Sequence, residues 1–281
     1  MTLTATVAVV AAAQETVSAP RSDGHLTPLL VYRPVSNSSS CAPLAVISHG
    51  AGGSENGYGY LAHAMASAGY TTMVMGHRES GFDALKSDIR ADGIHDGVRN
   101  LVADKGAEQA RLLDVSAALK WADAQCASPF RVLLGHSMGA ATVMLEAGAR
   151  NNIGVPSSVA GRDRFDAYVA LSPQGPGDVF PNHAWSSIHK PILILTGTRD
   201  QSLQGGAEAR QIPWRELPGT PQHCQWMGII DGATHMNFAG AGFGSDPVEP
   251  LVTQTIAAFL KGARSHVCTP LHFAQMNLQA K

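Results

Sequence analysis

The stretch Phe130-Arg131-Val132-Leu133-Leu134-Gly135-His136-Ser137-Met138-Gly139-Ala140-Ala141-Thr142 decides how the chain is read. Its first half is a short apolar run of the kind that forms a buried strand, and its second half opens a helix of small residues. The two meet at Gly135-His136-Ser137-Met138-Gly139. A serine at the crest of a strand-to-helix turn must take a strained backbone, and small residues on either side let strand and helix approach closely. The helix N-terminus behind it offers positive potential to a developing oxyanion. Ser137 is therefore the candidate nucleophile. The competing reading is a glycine-rich turn with an incidental serine, and the placement between strand and helix weighs against it.

Working outward, short runs rich in Val, Ile and Leu alternate with helical patterns, which indicates a mostly parallel sheet with helices on both faces. Strands are expected at Leu29–Tyr32, Leu44–Ser48, Thr71–Met75, Arg131–Leu134, Ala167–Leu171, Ile192–Thr196 and Trp226–Ile230. Helices are expected at Tyr58–Ala68, Lys105–Ala124, Met138–Ala149 and Glu249–Arg264. The second carries Leu112, Val115, Leu119 and Ala122 on one face. The remainder reads as loops. His77–Asp104 reads as a long polar one, with Asp88, Asp92 and Asp96 keeping it solvated. Ser172–His189 is too short for a large cap domain.

With 281 residues, of which 44% are hydrophobic, the chain suits a single domain over 28–281. Residues 1–27 form an N-terminal segment with two readings. Val7–Ala13 resembles a signal-peptide core, but the first basic residue is Arg21, so the basic start of a signal is absent. The other reading is an edge strand over Thr4–Ser18, and a truncated or replaced leader is a third. A net charge of −2 gives no footprint for nucleic acid, and the longest apolar run is too short to span a bilayer.

A nucleophilic serine needs a base, and the base an orienting acid. Pro191–Leu195 leads into Thr196-Gly197-Thr198-Arg199-Asp200, placing Asp200 at a strand's C-terminal edge, where open α/β sheets put their sites. The next strand ends in Asp231-Gly232-Ala233-Thr234-His235. Among the twelve histidines, His235 alone lies at that edge after Asp200. His49 and His136 sit in βα turns and read as shaping them. His223 is at the opposite edge, His183 and His189 lie in a loop, and His266 and His272 follow the last helix. Asp178 is a rival acid one strand earlier, and Asp231 is too close in sequence to orient His235. The oxyanion needs two backbone N–H donors. Met138, following the nucleophile, is one candidate, and Ala51 in the glycine-rich Ser48–Ser54 is the other. A phosphate-cradling loop fails there because no lysine follows, and no metal-binding motif is present. No cofactor is expected.

On Ser48–Gly53, Gly135–Gly139, Leu171-Ser172-Pro173, Thr196–Asp200 and Ala233-Thr234-His235, the sequence resembles the α/β-hydrolase superfamily. It is most similar to the branch of dienelactone-hydrolase-like esterases, cutinase-like polyester hydrolases and platelet-activating-factor acetylhydrolases. The resemblance implies an α/β-hydrolase fold without a large cap and a Ser-His-Asp acyl-enzyme route to carboxylic ester cleavage. It again puts the second oxyanion donor on Ala51. Three departures stand out. Ser137 replaces the cysteine nucleophile of dienelactone hydrolases proper. Ala51 and Gln174 stand where cutinase-like enzymes carry aromatic residues, which argues against aromatic polyesters.

The implied topology also pairs Cys41 with Cys126 and Cys224 with Cys268 at the sheet edge away from the site, against the alternative of four buried thiols. Disulfides would mean a periplasmic or secreted protein rather than a cytoplasmic one. An open cleft, bounded by His77–Asp104 and by Gln174–Trp185, suits small or extended esters, with Gln174 and Trp185 as substrate contacts. Alternatives on the same triad are an amidase or peptidase and an acyltransferase, and a non-catalytic binding protein is a third. The partners expected are a small or extended ester, with no nucleic acid and no membrane span. The oligomeric state is open, with a monomer favoured.

Overall fold

A computed structural model of the protein describes residues 13–34, 40–156, 163–201, 205–219 and 224–281. The strands are β1 (Gln14–Pro20), β2 (Leu26–Tyr32), β3 (Leu44–Ser48), β4 (Thr71–Met75), β5 (Arg131–His136), β6 (Ala167–Leu171), β7 (Ile192–Arg199), β8 (Gln225–Thr234) and β9 (Met276–Ala280). The helices are α1 (Gly59–Ser67), α2 (Phe82–Asp92), α3 (Ile94–Val102), α4 (Lys105–Gln125), α5 (Met138–Glu146), α6 (Ile212–Glu216) and α7 (Ser245–Ser265). One sheet runs in the order β1-β2-β4-β3-β5-β6-β7-β8-β9. It is parallel from β4 through β8, with antiparallel β1, β2 and β9 at its edges.

The central strands are apolar throughout because both faces are covered. Leu44 and Val46 of β3 pack toward α4 and α5, whereas Ala45 and Ile47 pack toward α1 and α7. Trp226 of β8 meets Phe259 of α7 edge-on and donates its indole N–H to the Cys268 carbonyl at 3.1 Å. Disulfides join Cys41 to Cys126 and Cys224 to Cys268, with Cα separations of 5.6 and 5.0 Å. The first ties the entrance of β3 to the end of α4, and the second ties the start of β8 to the exit of α7.

The structure corrects the sequence reading in three places. Residues 77–104 are not a polar loop but a helical pair, α2 and α3, so Asp88, Asp92 and Asp96 sit on helices. The apolar residues recur at helical spacing, with Ala84, Leu85 and Ile89 on α2 and Val98, Leu101 and Val102 on α3 turned inward. Gly81, Gly93 and Gly97 punctuate the stretch and make it look like turns. At Gly97 the backbones of α2 and α3 approach so closely that a Cβ would overlap Asp88 and Ile89. Second, the chain does not end on α7 but returns as β9 beside β8. Its polar sequence, Met276-Asn277-Leu278-Gln279-Ala280, carries little strand signal because only one edge and one face are covered. Third, Trp185 is fully buried against Phe180 in the core rather than exposed at a cleft wall.

Strand β1 pairs with β2 along its length. The remainder of the Thr4–Ser18 segment, the signal-like run up to residue 12 and His223 lie outside the described residues. Among the described residues no helix is long and apolar enough to cross a membrane.

Candidate active site

Ser137 sits between β5 and α5 with φ 56° and ψ −118°. Such backbone is costly for a side-chain-bearing residue and persists only where its surroundings fix it. The flanking glycines explain the turn. A Cβ on Gly135 would overlap the Gly139 carbonyl, and one on Gly139 would overlap the Ser48 carbonyl. The strand β3, strand β5 and helix α5 therefore close around Ser137 only with glycine at both positions.

His235 follows β8 and Asp200 follows β7, at the same sheet edge as Ser137. His235 Nε2 lies 3.0 Å from Ser137 Oγ, and His235 Nδ1 lies 3.1 Å from Asp200 Oδ1. The His235 side chain is 30% exposed and the Asp200 carboxylate is fully buried. The turn after β8 is set by Asn237, whose Oδ1 accepts from the Thr234 N–H at 2.8 Å and the Thr234 hydroxyl at 2.9 Å. The rival acids are elsewhere engaged. Asp178 pairs with Arg99 of α3 at 2.5 Å, and Asp231 accepts from the Thr198 hydroxyl at 3.1 Å.

Asp200 sits in a ring of donors that the sequence reading did not identify. Oδ2 accepts from the Thr196 hydroxyl at 2.8 Å, while Oδ1 accepts from the Ser172 hydroxyl at 2.9 Å. Arg210 Nε is 2.7 Å from Oδ1, and the same guanidinium donates to the carbonyls of Ser172, Pro173 and Gln201 at 2.9, 3.0 and 2.5 Å. Burial pulls the Arg210 guanidinium down from its ordinary value, and the Asp200 charge pushes it back up. Arg210 precedes α6 in a stretch without strand or helix periodicity, so no sequence signal marked it. Ser172 had one, since it follows a strand end and precedes a proline.

His136 does more than shape its turn. Buried and held neutral, its ring packs against His235 at 4.7 Å between centroids, tilted by 42°. Its Nε2–H donates to the His235 carbonyl at 3.0 Å, leaving Nδ1 to accept from the Tyr58 hydroxyl at 2.8 Å. Tyr58 in turn accepts from the Gly50 N–H at 3.0 Å. One chain of hydrogen bonds thus links the Ser48–Ser54 loop, the β5 end and the His235 turn.

Beneath that loop lies a second buried polar cluster. His77 Nδ1 is 2.8 Å from Asp114 Oδ2, and Ser48 Oγ is 2.9 Å from His77 Nε2. Arg111 donates to Ser80 Oγ at 2.8 Å and to the His49 carbonyl at 2.7 Å. The His77 N–H donates to His49 Nε2 at 3.0 Å. Burial holds His49 and His77 well below the ordinary imidazole value, so both are neutral. Ser48, His77 and Asp114 are all buried, so this serine has no access to a substrate. Its cluster holds the loop carrying Ala51.

A Cβ on Gly50 would lie 3.3 Å from the Ser137 Cβ, which measures how closely that loop adjoins Ser137. Neither the Ala51 nor the Met138 N–H donates to another group among the described residues. Gln174 is half-buried with an unpartnered Oε1. Trp185, by contrast, is sealed in the core and touches no open cleft. Among the described residues, no group of three or more His, Cys, Asp or Glu side chains is placed to hold a metal ion.

No family model matches the chain, and no curated protein matches it in sequence. Solved structures do match. Est1E from Butyrivibrio proteoclasticus superposes with a TM-score of 0.59 at 17% identity, covering 89% of this chain and 99% of that one. The Pyrococcus furiosus esterase Pf2001 gives 0.58 at 17% identity, over 89% of this chain and 92% of its own. A Klebsiella pneumoniae protein described as a dienelactone hydrolase gives 0.64 at 16% identity, over 90% and 100%. At such identities the likeness is one of fold.

Proposed function

The chain has the α/β-hydrolase fold, and we propose that it is a serine hydrolase cleaving carboxylic esters through an acyl-enzyme. The observation that carries this reading is the continuous line from Ser137 Oγ through His235 to Asp200, with contacts of 3.0 and 3.1 Å. His235 Nε2 takes the serine proton as Oγ attacks the ester carbonyl, and the buried Asp200 charge orients and stabilises the imidazolium. The Ala51 and Met138 N–H groups, with α5 behind the second, face the charge that develops on the carbonyl oxygen. His235 then returns the proton to the departing alcohol, and a water activated at the same nitrogen frees the acid. The likeness in fold to the Pyrococcus furiosus esterase Pf2001 and to the dienelactone hydrolase supports the same substrate class. The two disulfides favour an oxidising location, periplasmic or secreted.

The test is a p-nitrophenyl ester series of increasing acyl length, run on the parent and on Ser137→Ala. A fluorophosphonate probe should label the parent and not the variant. Equal ester turnover by the two proteins would overturn the reading. Faster turnover of matched amides, or transfer to an added alcohol in preference to water, would move the substrate class to amidase or acyltransferase.

A further inference from the structure

The contact that orients the histidine is more elaborate than a direct carboxylate–imidazole bond. Ser172 stands one residue beyond β6, with its Oγ 2.6 Å from His235 Nδ1 and 2.9 Å from Asp200 Oδ1. The direct His235–Asp200 separation is longer, at 3.1 Å. Ser172 also holds φ at 53°, a left-handed backbone that a non-glycine residue adopts only under constraint.

The protons in this cluster can be assigned from chemistry. Nε2 must accept from Ser137, so the ring proton resides on Nδ1. The Asp200 carboxylate can only accept, so the single Ser172 hydroxyl proton points at Oδ1. A lone pair of Ser172 Oγ then faces the Nδ1–H across 2.6 Å, a little shorter than an ordinary N–H···O hydrogen bond. A contact that short without a proton along it would be repulsive. We infer that Ser172 is a positioning residue that relays the hold of Asp200 onto His235, making a four-membered line Ser137–His235–Ser172–Asp200.

The surroundings are built to keep it there. The Ser172 N–H donates to the Leu195 carbonyl at 2.7 Å, and the Ser172 carbonyl accepts from Arg210 Nη1 at 2.9 Å. Arg210 Nε simultaneously holds Asp200 Oδ1 at 2.7 Å, so one guanidinium fixes both the carboxylate and the strained turn. Arg210 Nη2 lies 3.1 Å from His235 Nδ1, and both are donors when Nδ1 carries the proton. That cation offsets part of the Asp200 charge felt by the ring. A hydroxyl whose oxygen faces Nδ1 supplies the acceptor that the compensated carboxylate supplies less well.

This inference rests on the proposed triad, and its test separates the two. Ser172→Ala and Ser172→Gly both remove the hydroxyl, but glycine accepts φ near 53° without strain. Both variants should lose roughly 10- to 100-fold in kcat on a p-nitrophenyl ester, with KM within about twofold of the parent. Ser172→Gly should melt no lower than Ser172→Ala. Parent-like kcat in Ser172→Gly would overturn the inference, because the residue would then serve only the backbone. The second readout is independent of turnover. The downfield imidazole Nδ1–H proton signal, assigned by its loss in His235→Gln, should move in Ser172→Gly. An unmoved signal overturns the relay even if the protein cleaves no ester. Loss of Ser137-dependent turnover in the parent, by contrast, strikes the proposed function alone.

Discussion

Glu108 offers the sharpest test of the buried network behind helix α5. It lies fully buried on α4, with Oε2 accepting from the Thr142 hydroxyl of α5 at 3.1 Å and Oε1 without a partner. Burial pushes its carboxyl up from 4.5 to about 7, against the opposing pull of Arg111 and Thr142. A raised acid binds its proton more tightly when folded. Its contribution to stability is therefore full below the unfolded value and is lost as pH rises through about 7. A shift from 4.5 to about 7 at ~1.36 kcal/mol per pH unit amounts to roughly 3 kcal/mol, most of it lost between pH 5 and pH 8. Glu108→Gln removes the ionisation and keeps an acceptor for Thr142. Asp114, raised to about 6 by burial, and Arg111 remain in both proteins and largely cancel in the comparison. Urea unfolding with the disulfides intact should show the variant gaining roughly 2–3 kcal/mol on the parent between pH 5 and pH 8. The corresponding relative rise in Tm is about 5–10 °C. A gap between variant and parent that is the same at both pH values would refute the account, whatever its size.

Three further outcomes are expected. Tyr58→Phe strands the Gly50 N–H and the His136 Nδ1 acceptor, so kcat on a p-nitrophenyl ester should fall about tenfold as the Ser48–Ser54 loop, the proposed source of an oxyanion donor, loosens. Unchanged kcat would show that the loop is held without that link. Replacing either disulfide by a serine pair should cost roughly 2–5 kcal/mol in urea unfolding. The loops closed span 85 and 44 residues, so chain entropy separates the two losses by only about 0.6 kcal/mol. Gly139→Ala forces a methyl into the Ser48 carbonyl, and soluble expression or Tm should fall further than for Ala substitution at Gly59, where a Cβ meets nothing. Equal Tm values for the two would contradict the close approach of β3 and α5.

The fold and the strand-end places of Ser137, Asp200 and His235 were legible because each left a local mark. Parallel strands buried on both faces must be continuously apolar, and β3, β4 and β6 begin and end where the sequence reading puts them. The glycines around Ser137 are the price of a close strand–helix turn, so the turn announces itself. Helices α2 and α3 were hidden because Gly97, used for helix–helix approach, and Gly81 and Gly93, at the ends of α2, together mimic loop punctuation. Trp185 was misread because an aromatic residue in an irregular segment gives no sign of facing inward.

The sequence by itself determined a strand-turn-helix serine, an acid and a histidine at successive strand ends, and an alternating architecture that sets them on one sheet edge. Those facts follow from local backbone demands and periodicity, which are written in neighbouring residues. The tertiary structure decided what surrounds the three. Ser172 and Arg210 reach Asp200 from positions 28 residues before it and 10 after it, and Tyr58 reaches His136 across 78. Such contacts depend on how loops fold back over the sheet, and no spacing along the chain encodes that distance in space.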